Sequence, residues 1–278
     1  MWPLPVVIST DVDSLRLFTP NAAQPSRPLF IFLPGMDGTG QLLHSQLAGI
    51  ERDFDIRCLA IPTHDLTPWH PMTVQIARLV EVERHYHPER LVYLCGESFG
   101  GCLALQLAAQ FPKLCDRLIL VNPASAFSHQ FWMGWGATVT QWLPAPLYQL
   151  SALGLLPFLI EVQRVSFANR QKLLTAMQSL TPASAAWRIA LLSQFKVETL
   201  PLARIAQPTL ILASGADRLL PSVAEANRLV RNLPNAQKVM LPESGHACLL
   251  ETEIKLGDIL RAQHFYGGAV TASMSNQS

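Results

Sequence analysis

The sequence predicts an α/β chain: a mainly parallel sheet with helices on both faces and a helical cap inserted before the last two strands. Three observations carry this. Short apolar runs that read as strands alternate along the chain with stretches of helical periodicity. The run Pro28-Leu29-Phe30-Ile31-Phe32-Leu33 is apolar without alternation, as a strand buried on both faces of a parallel sheet requires. A second apolar strand, Leu91–Cys95, enters the turn Gly96-Glu97-Ser98-Phe99-Gly100 and passes straight into an Ala/Leu-rich helix.

Taken in order, Pro5–Ser9 and Ser14–Phe18 read as short opening strands. After the strand ending at Leu33, Gln41–Phe54 reads as helix, Ile56–Ile61 as strand and Met72–His87 as helix. Arg117–Val121 is a strand closed by Asn122-Pro123. The last two strands are Pro208–Ala213 and Lys238–Leu241, separated by a helix over Pro221–Asn232, and a final helix is expected from Cys248 to His264. The expected division is a sheet core at 1–123 and 207–266, a cap at 124–206 and a flexible tail at 267–278.

From Leu118 to Ile160 there is no Asp, Glu, Lys or Arg. Pro144, Pro146 and Pro157, with several Gln and Thr, interrupt the stretch, so it lacks the about twenty uninterrupted apolar residues of a membrane span. It reads as a cap in which Trp132, Trp135, Trp142 and Phe158 line an apolar substrate pocket. The alternative is that these aromatics only pack the cap onto the sheet.

Composition narrows the classes. The 278 residues suit one large domain, and a net charge of +1 without a basic stripe argues against nucleic acid as a partner. Charged residues make up 15% of the chain, against roughly 25% in an ordinary soluble domain. That shortfall implies either a large buried surface or a surface that meets lipid. The five cysteines, Cys58, Cys95, Cys102, Cys115 and Cys248, are odd in number and fall mostly in predicted elements. They read as buried apolar residues in a reducing compartment. The opening residues show no basic region followed by an apolar run, so neither a signal nor a transit peptide is expected. The expected location is the cytoplasm, with peripheral membrane contact through the cap.

The turn at Ser98 carries the chemistry. Gly-x-Ser-x-Gly between a strand and a helix is the nucleophile elbow of the α/β-hydrolase fold. A tight turn exposes the serine hydroxyl, while Gly96 and Gly100 let strand and helix pass closely. Serine needs a base and the base needs an acid, and in this fold the order is Ser, acid, His after late strands. Asp217 follows the strand 208–213 and His246 follows the strand ending at Leu241. Apart from that order they would read as a turn-forming Asp and a surface His. The Phe99 amide, opening the helix, and the Met36 amide, in Pro34-Gly35-Met36-Asp37-Gly38, are the expected oxyanion donors. That Gly-rich loop lacks the endings of nucleotide-binding loops. His64 and His70 read as solvated loop residues, a place near the pocket mouth being the alternative, and His85 and His87 as an exposed helix end. No cluster has metal-ligand spacing, and neither cofactor nor metal is expected.

The segments Leu33-Pro34-Gly35-Met36-Asp37-Gly38-Thr39-Gly40, Arg57-Cys58-Leu59-Ala60-Ile61-Pro62 with Asp65-Leu66-Thr67-Pro68, Gly96-Glu97-Ser98-Phe99-Gly100-Gly101-Cys102 and Leu120-Val121-Asn122-Pro123-Ala124-Ser125 resemble the hydrolase half of the plastid phytyl ester synthase (esterase/lipase/thioesterase) family. The resemblance implies action on long-chain acyl groups, with phytol or glycerolipid acceptors at membranes. That family's acyltransferase-like half has no counterpart among these residues, and Pro34 replaces the His common in the oxyanion loop of the wider superfamily. The sequence therefore leads to a serine hydrolase of an apolar, long-chain acyl or phytyl-type ester, acting through an acyl-enzyme on Ser98. A thioesterase or acyltransferase using the same intermediate stays open, and a non-catalytic lipid-binding protein of this fold is the distant alternative.

Overall fold

The computed structural model describes residues 14–85, 87–129 and 153–266. The expected strand at Pro5–Ser9, the tail at 267–278 and the tryptophans Trp132, Trp135 and Trp142 lie outside the described residues. The sheet consists of β1 (Arg16–Phe18), β2 (Leu29–Leu33), β3 (Asp55–Ala60), β4 (Val92–Glu97), β5 (Arg117–Val121), β6 (Thr209–Ser214) and β7 (Ala236–Leu241). Their spatial order is β1-β3-β2-β4-β5-β6-β7, with every neighbouring pair parallel except the β1–β3 edge.

The unbroken apolar strands are explained by two cores. Leu29, Ile31 and Leu33 of β2 belong to one, while Phe30 and Phe32 belong to the other. The first core is covered by α2 (Trp69–His85), α3 (Phe99–Gln110) and α6 (Ser222–Asn232), and the second by α1 (Leu47–Ile50) and α7 (Leu256–Ala262). All five cysteines are buried and unpaired.

Two predicted helices are broken. The stretch 41–54 forms a 3-10 turn over Gln41–Ser45 and the four-residue α1. Its interruption is Gln46, whose buried amide donates to the Leu249 and Ile254 carbonyls and accepts from the Leu256 amide. Cys248–His264 is likewise a 3-10 turn, Cys248–Leu250, followed by the short α7. The residues between them are drawn into a bridge from Glu251 to Val165 and a hydrogen bond from the Thr252 amide to Arg164 O.

The inserted segment contributes α4 (Phe167–Ser179) and α5 (Pro182–Gln194). Ser166 and Thr181 cap these helices through their hydroxyl oxygens, which accept from the Asn169 and Ser184 amides, and Pro182 opens α5. Leu191 and Leu192 of α5 join the first core, whereas Leu173 and Ala176 of α4 pack with Leu42, Ile160, Val165 and Leu250.

Far from the strand C-termini, the Asp55 carboxylate is fully buried between Arg57 (2.8 Å) and Arg90 (2.7 Å), and Arg57 also reaches Glu83 at 3.0 Å. Removing it leaves two guanidinium groups with no central carboxylate. Asp55→Ala should lower stability by about 3–5 kcal/mol, read as a fall in the urea midpoint at unchanged slope.

Candidate active site

The site lies at the C-terminal edge of the sheet, where the parallel register gathers the ends of β2, β4, β6 and β7. Ser98 sits between β4 and α3 with φ 53° and ψ −112°, a strained conformation for a side-chain-bearing residue. The approach that forces it is visible at Gly100, where a Cβ would overlap the Leu33 carbonyl at the end of β2. Ser98 is half-buried, so its hydroxyl faces the cavity above the sheet.

The three residues expected from strand order are brought into one hydrogen-bonded chain. Ser98 Oγ lies 2.8 Å from His246 Nε2, and His246 Nδ1 lies 2.7 Å from Asp217 Oδ2. Asp217 is further held by the Leu219 and Leu220 amides (2.8 and 2.9 Å to Oδ1) and by the Ser222 hydroxyl on Oδ2. Burial penalises its charge, but His246 and these donors hold the carboxyl below its ordinary range. Burial likewise opposes the imidazolium of His246. The charge and hydrogen bond of Asp217, with a smaller contribution from Glu97, outweigh it and leave His246 more basic than usual.

The Met36 and Phe99 amides donate to no acceptor among the described residues, and Gly35 lies against Ser98. Phe99 is the first residue of α3, and its ring stacks on Trp69 at 4.7 Å. Asp37 serves the loop itself: Oδ2 accepts from the Thr39 amide (2.8 Å) and hydroxyl (2.6 Å). Asp65 repeats the pattern with Thr67, which explains the Asp-x-Thr spelling of both loops as turn chemistry.

A cavity of about 410 Å³ opens above Ser98. Its walls are Leu42, Ala124 and Phe127 from the core side, Leu173, Met177 and Leu180 around α4, and Ala185, Ile189 and Leu192 of α5. Phe158, 46% exposed, lines it, as does the exposed Leu155; Leu153, Val162 and Phe167 are exposed apolar residues outside its lining. His64 lines a different cleft, of about 760 Å³, with Arg16, His44 and Lys172, so it does not belong to the Ser98 cavity. His70 hydrogen-bonds Gln110 at the surface.

Three residues that support the site escaped the sequence reading. Arg188 of α5 is fully buried and donates to Met36 O (2.7 Å) and Pro62 O (3.0 Å), passing over Gly38, where any Cβ would collide with the guanidinium. Its one signal is that it is the sole charge in an otherwise uncharged, Ala/Leu-rich helix. Glu251, also buried, accepts from the Ser244 hydroxyl and Gly245 amide just before His246 and pairs with Arg164 at 2.7 Å. Asn122, at φ 42°, donates to His246 O (2.6 Å) and Ser214 Oγ (2.8 Å) and accepts from the Ser214 amide (2.9 Å).

The α/β hydrolase fold family matches residues 28–252 of the chain. The chain belongs to the α/β-hydrolase family. Within that family this hydrolase is 29% identical to phytyl ester synthase 1, chloroplastic, of Arabidopsis thaliana, over 94% of its own length and 40% of that protein's. It is 32% identical to phytyl ester synthase 2, chloroplastic, of the same plant, over 90% of its length and 40% of that protein's. The chain thus spans about two fifths of those curated relatives and resembles their hydrolase half. Among solved structures it superposes on an α/β hydrolase enzyme from a Medee basin deep-sea metagenome library with a TM-score of 0.72, at 16% identity and covering 93% and 97% of the two chains. For MenH from S. aureus the TM-score is 0.70, at 17% identity with 89% and 96% covered. Among the described residues no helix is long and apolar enough to cross a membrane.

Asn122→Ala would leave the His246 carbonyl and the Ser214 amide without buried partners. A stability loss of about 2–4 kcal/mol is expected in chemical denaturation.

Proposed function

We propose that this hydrolase is a serine esterase acting on an apolar acyl ester through an acyl-enzyme on Ser98. The observation that carries the reading is the Asp217–His246–Ser98 hydrogen-bonded chain opening onto an apolar cavity. His246 Nε2 takes the Ser98 proton as Oγ adds to the ester carbonyl, and Asp217 keeps the imidazole oriented and stabilises the imidazolium. The oxyanion is met by the Phe99 and Met36 amides. His246 then protonates the leaving alcohol. Water repeats the sequence in reverse, freeing the acid and Ser98. The relatives support ester chemistry by their names, two being phytyl ester synthases and a third, 30% identical over 56% of the chain, a pimeloyl-[acyl-carrier protein] methyl ester esterase from Nitrosomonas europaea. A synthase name favours one further reading: an alcohol replaces water as acceptor of the same acyl group. The exposed apolar residues that line the cavity, Leu155 and Phe158, support substrate delivery from a lipid surface.

A fluorophosphonate probe should label wild-type protein and not Ser98→Ala. Asp217→Asn should stay folded and lose on the order of 10⁴ in kcat, since the imidazole then carries its proton on the wrong nitrogen. Labelling that survives in Ser98→Ala overturns the assignment.

The cavity sets a second expectation. Full burial of a methylene is worth about 0.8 kcal/mol, or about fourfold in kcat/KM, and imperfect fit reduces this to about twofold per carbon. With monomeric esters, kcat/KM should climb past about eight carbons in the wild type, and Ile189→Trp should bring the plateau to shorter chains. A flat profile from about four to about twelve carbons removes the acyl channel.

A further inference from the structure

We propose that Glu97 is the acceptor subsite of the acyl-enzyme: its carboxyl holds the hydroxyl of the incoming water or alcohol beside His246. The proposal rests on the serine esterase reading and concerns only its second half. Among the described residues, four polar side chains line the cavity, those of Asp37, Glu97, Ser98 and His246. Ser98 and His246 are bonded to each other, and Asp37 is engaged by Thr39. Glu97 is 7% exposed and has no hydrogen-bond or ion-pair partner among the described residues. A carboxyl this buried is costly unless something in the cavity pairs with it.

Strand alternation places Glu97 on the same face of β4 as Tyr93 and Cys95, which pack with Cys248 of the loop that carries His246. Glu97 therefore borders Ser98 from the His246 side, where an acceptor must stand to give up its proton. The titratable groups facing it are His246, Asp37, Cys95 and Cys248. Burial keeps both thiols neutral. Burial also pushes the Glu97 carboxyl up to about 7, with Asp37 adding to the rise and His246 opposing it. Both protonation states are thus populated near neutral pH.

The two states treat acceptors differently. In deacylation the acceptor O–H proton passes to His246 Nε2 while its oxygen bonds to the acyl carbon. The bond from that carbon to Ser98 Oγ then breaks, and the proton returns from His246 to Oγ. Neutral Glu97 donates to the spare lone pair of the acceptor oxygen, which water and alcohol both offer. Ionised Glu97 must accept a second O–H, which water has and an alcohol lacks. Ionisation of Glu97 therefore turns the acyl-enzyme from alcohol transfer toward hydrolysis.

The test is the ratio of transferred ester to free acid, with a monomeric p-nitrophenyl acyl ester and a fixed concentration of a primary alcohol. Both products arise from one intermediate and one base, so the ratio is insensitive to acylation and to the titration of His246. Between about pH 6 and about pH 8 it should fall by about fivefold in wild type. In Glu97→Gln and Glu97→Leu it should stay level within about twofold, with fluorophosphonate labelling of Ser98 showing that each variant is folded. A level ratio in wild type overturns the subsite, and it does so even if both variants fail to fold. An equal fall in labelled variants overturns it too. Loss of labelling in wild type would instead remove the serine esterase reading beneath it.

Discussion

The backbone at Ser98 is the constraint on which the rest of the site depends. A side-chain-bearing residue at φ 53° and ψ −112° costs about 1–3 kcal/mol, and it persists only where its surroundings over-determine it. Three hydrogen bonds do so: the Ser98 amide donates to Val121 O at the end of β5, and Ser98 O accepts from the Gly101 and Ala124 amides. The elbow is therefore tied to β5 as well as to β4 and α3. The turn also presses α3 against the end of β2 at Gly100, which brings the Gly35-Met36 loop against the serine. One strained residue thus decides which strand ends must be adjacent. The order β2-β4-β5-β6 provides that adjacency.

Most of this was legible in the sequence because it follows from local rules. Gly-x-Ser-x-Gly between strand and helix locates the elbow, and a parallel sheet puts Asp217 and His246 on the same edge once their strands are identified. What escaped depends on partners distant in sequence. Periodicity alone runs a helix through Gln46, but the Gln46 amide is satisfied by residues about two hundred positions away, at Leu249, Ile254 and Leu256. Glu251 breaks the final predicted helix for the same reason. Its carboxylate is needed by Ser244, Gly245 and Arg164 at once, so its backbone follows the inserted segment instead of a helical path. The tryptophans that suggested a lipid-facing cap fall outside the described residues, whereas Phe158 lies on the cavity wall.

Arg188 shows that the inserted helices do more than roof an apolar space. Burying a guanidinium is costly, and this one is compensated by two backbone carbonyls and the nearby charge of Asp37. Both carbonyls belong to loops at the sheet edge, those of Met36 and Pro62, so α5 is fastened to the segment that presents the Met36 amide. Trp69 and Trp187 add hydrogen bonds between α5 and the neighbouring 67–69 stretch. A shift of α5 would therefore reach the Met36 peptide through a side chain with little slack. The low charge content of the chain is consistent with this economy: several of its few charges are buried and hold backbone in place.

Two carboxyls flank one imidazole, and their surroundings send them in opposite directions. Asp217 is buried, but two amides, a hydroxyl and His246 converge on it, so its anion is stabilised. Glu97 is also removed from water and meets no donor among the described residues, so its neutral form gains. Both make His246 more basic, Asp217 by contact and Glu97 through space. The difference lies in what each can do next. Asp217 has its lone pairs occupied by two amides, a hydroxyl and His246. Glu97 lines the cavity next to Ser98 and keeps its donor and acceptor capacity uncommitted among the described residues.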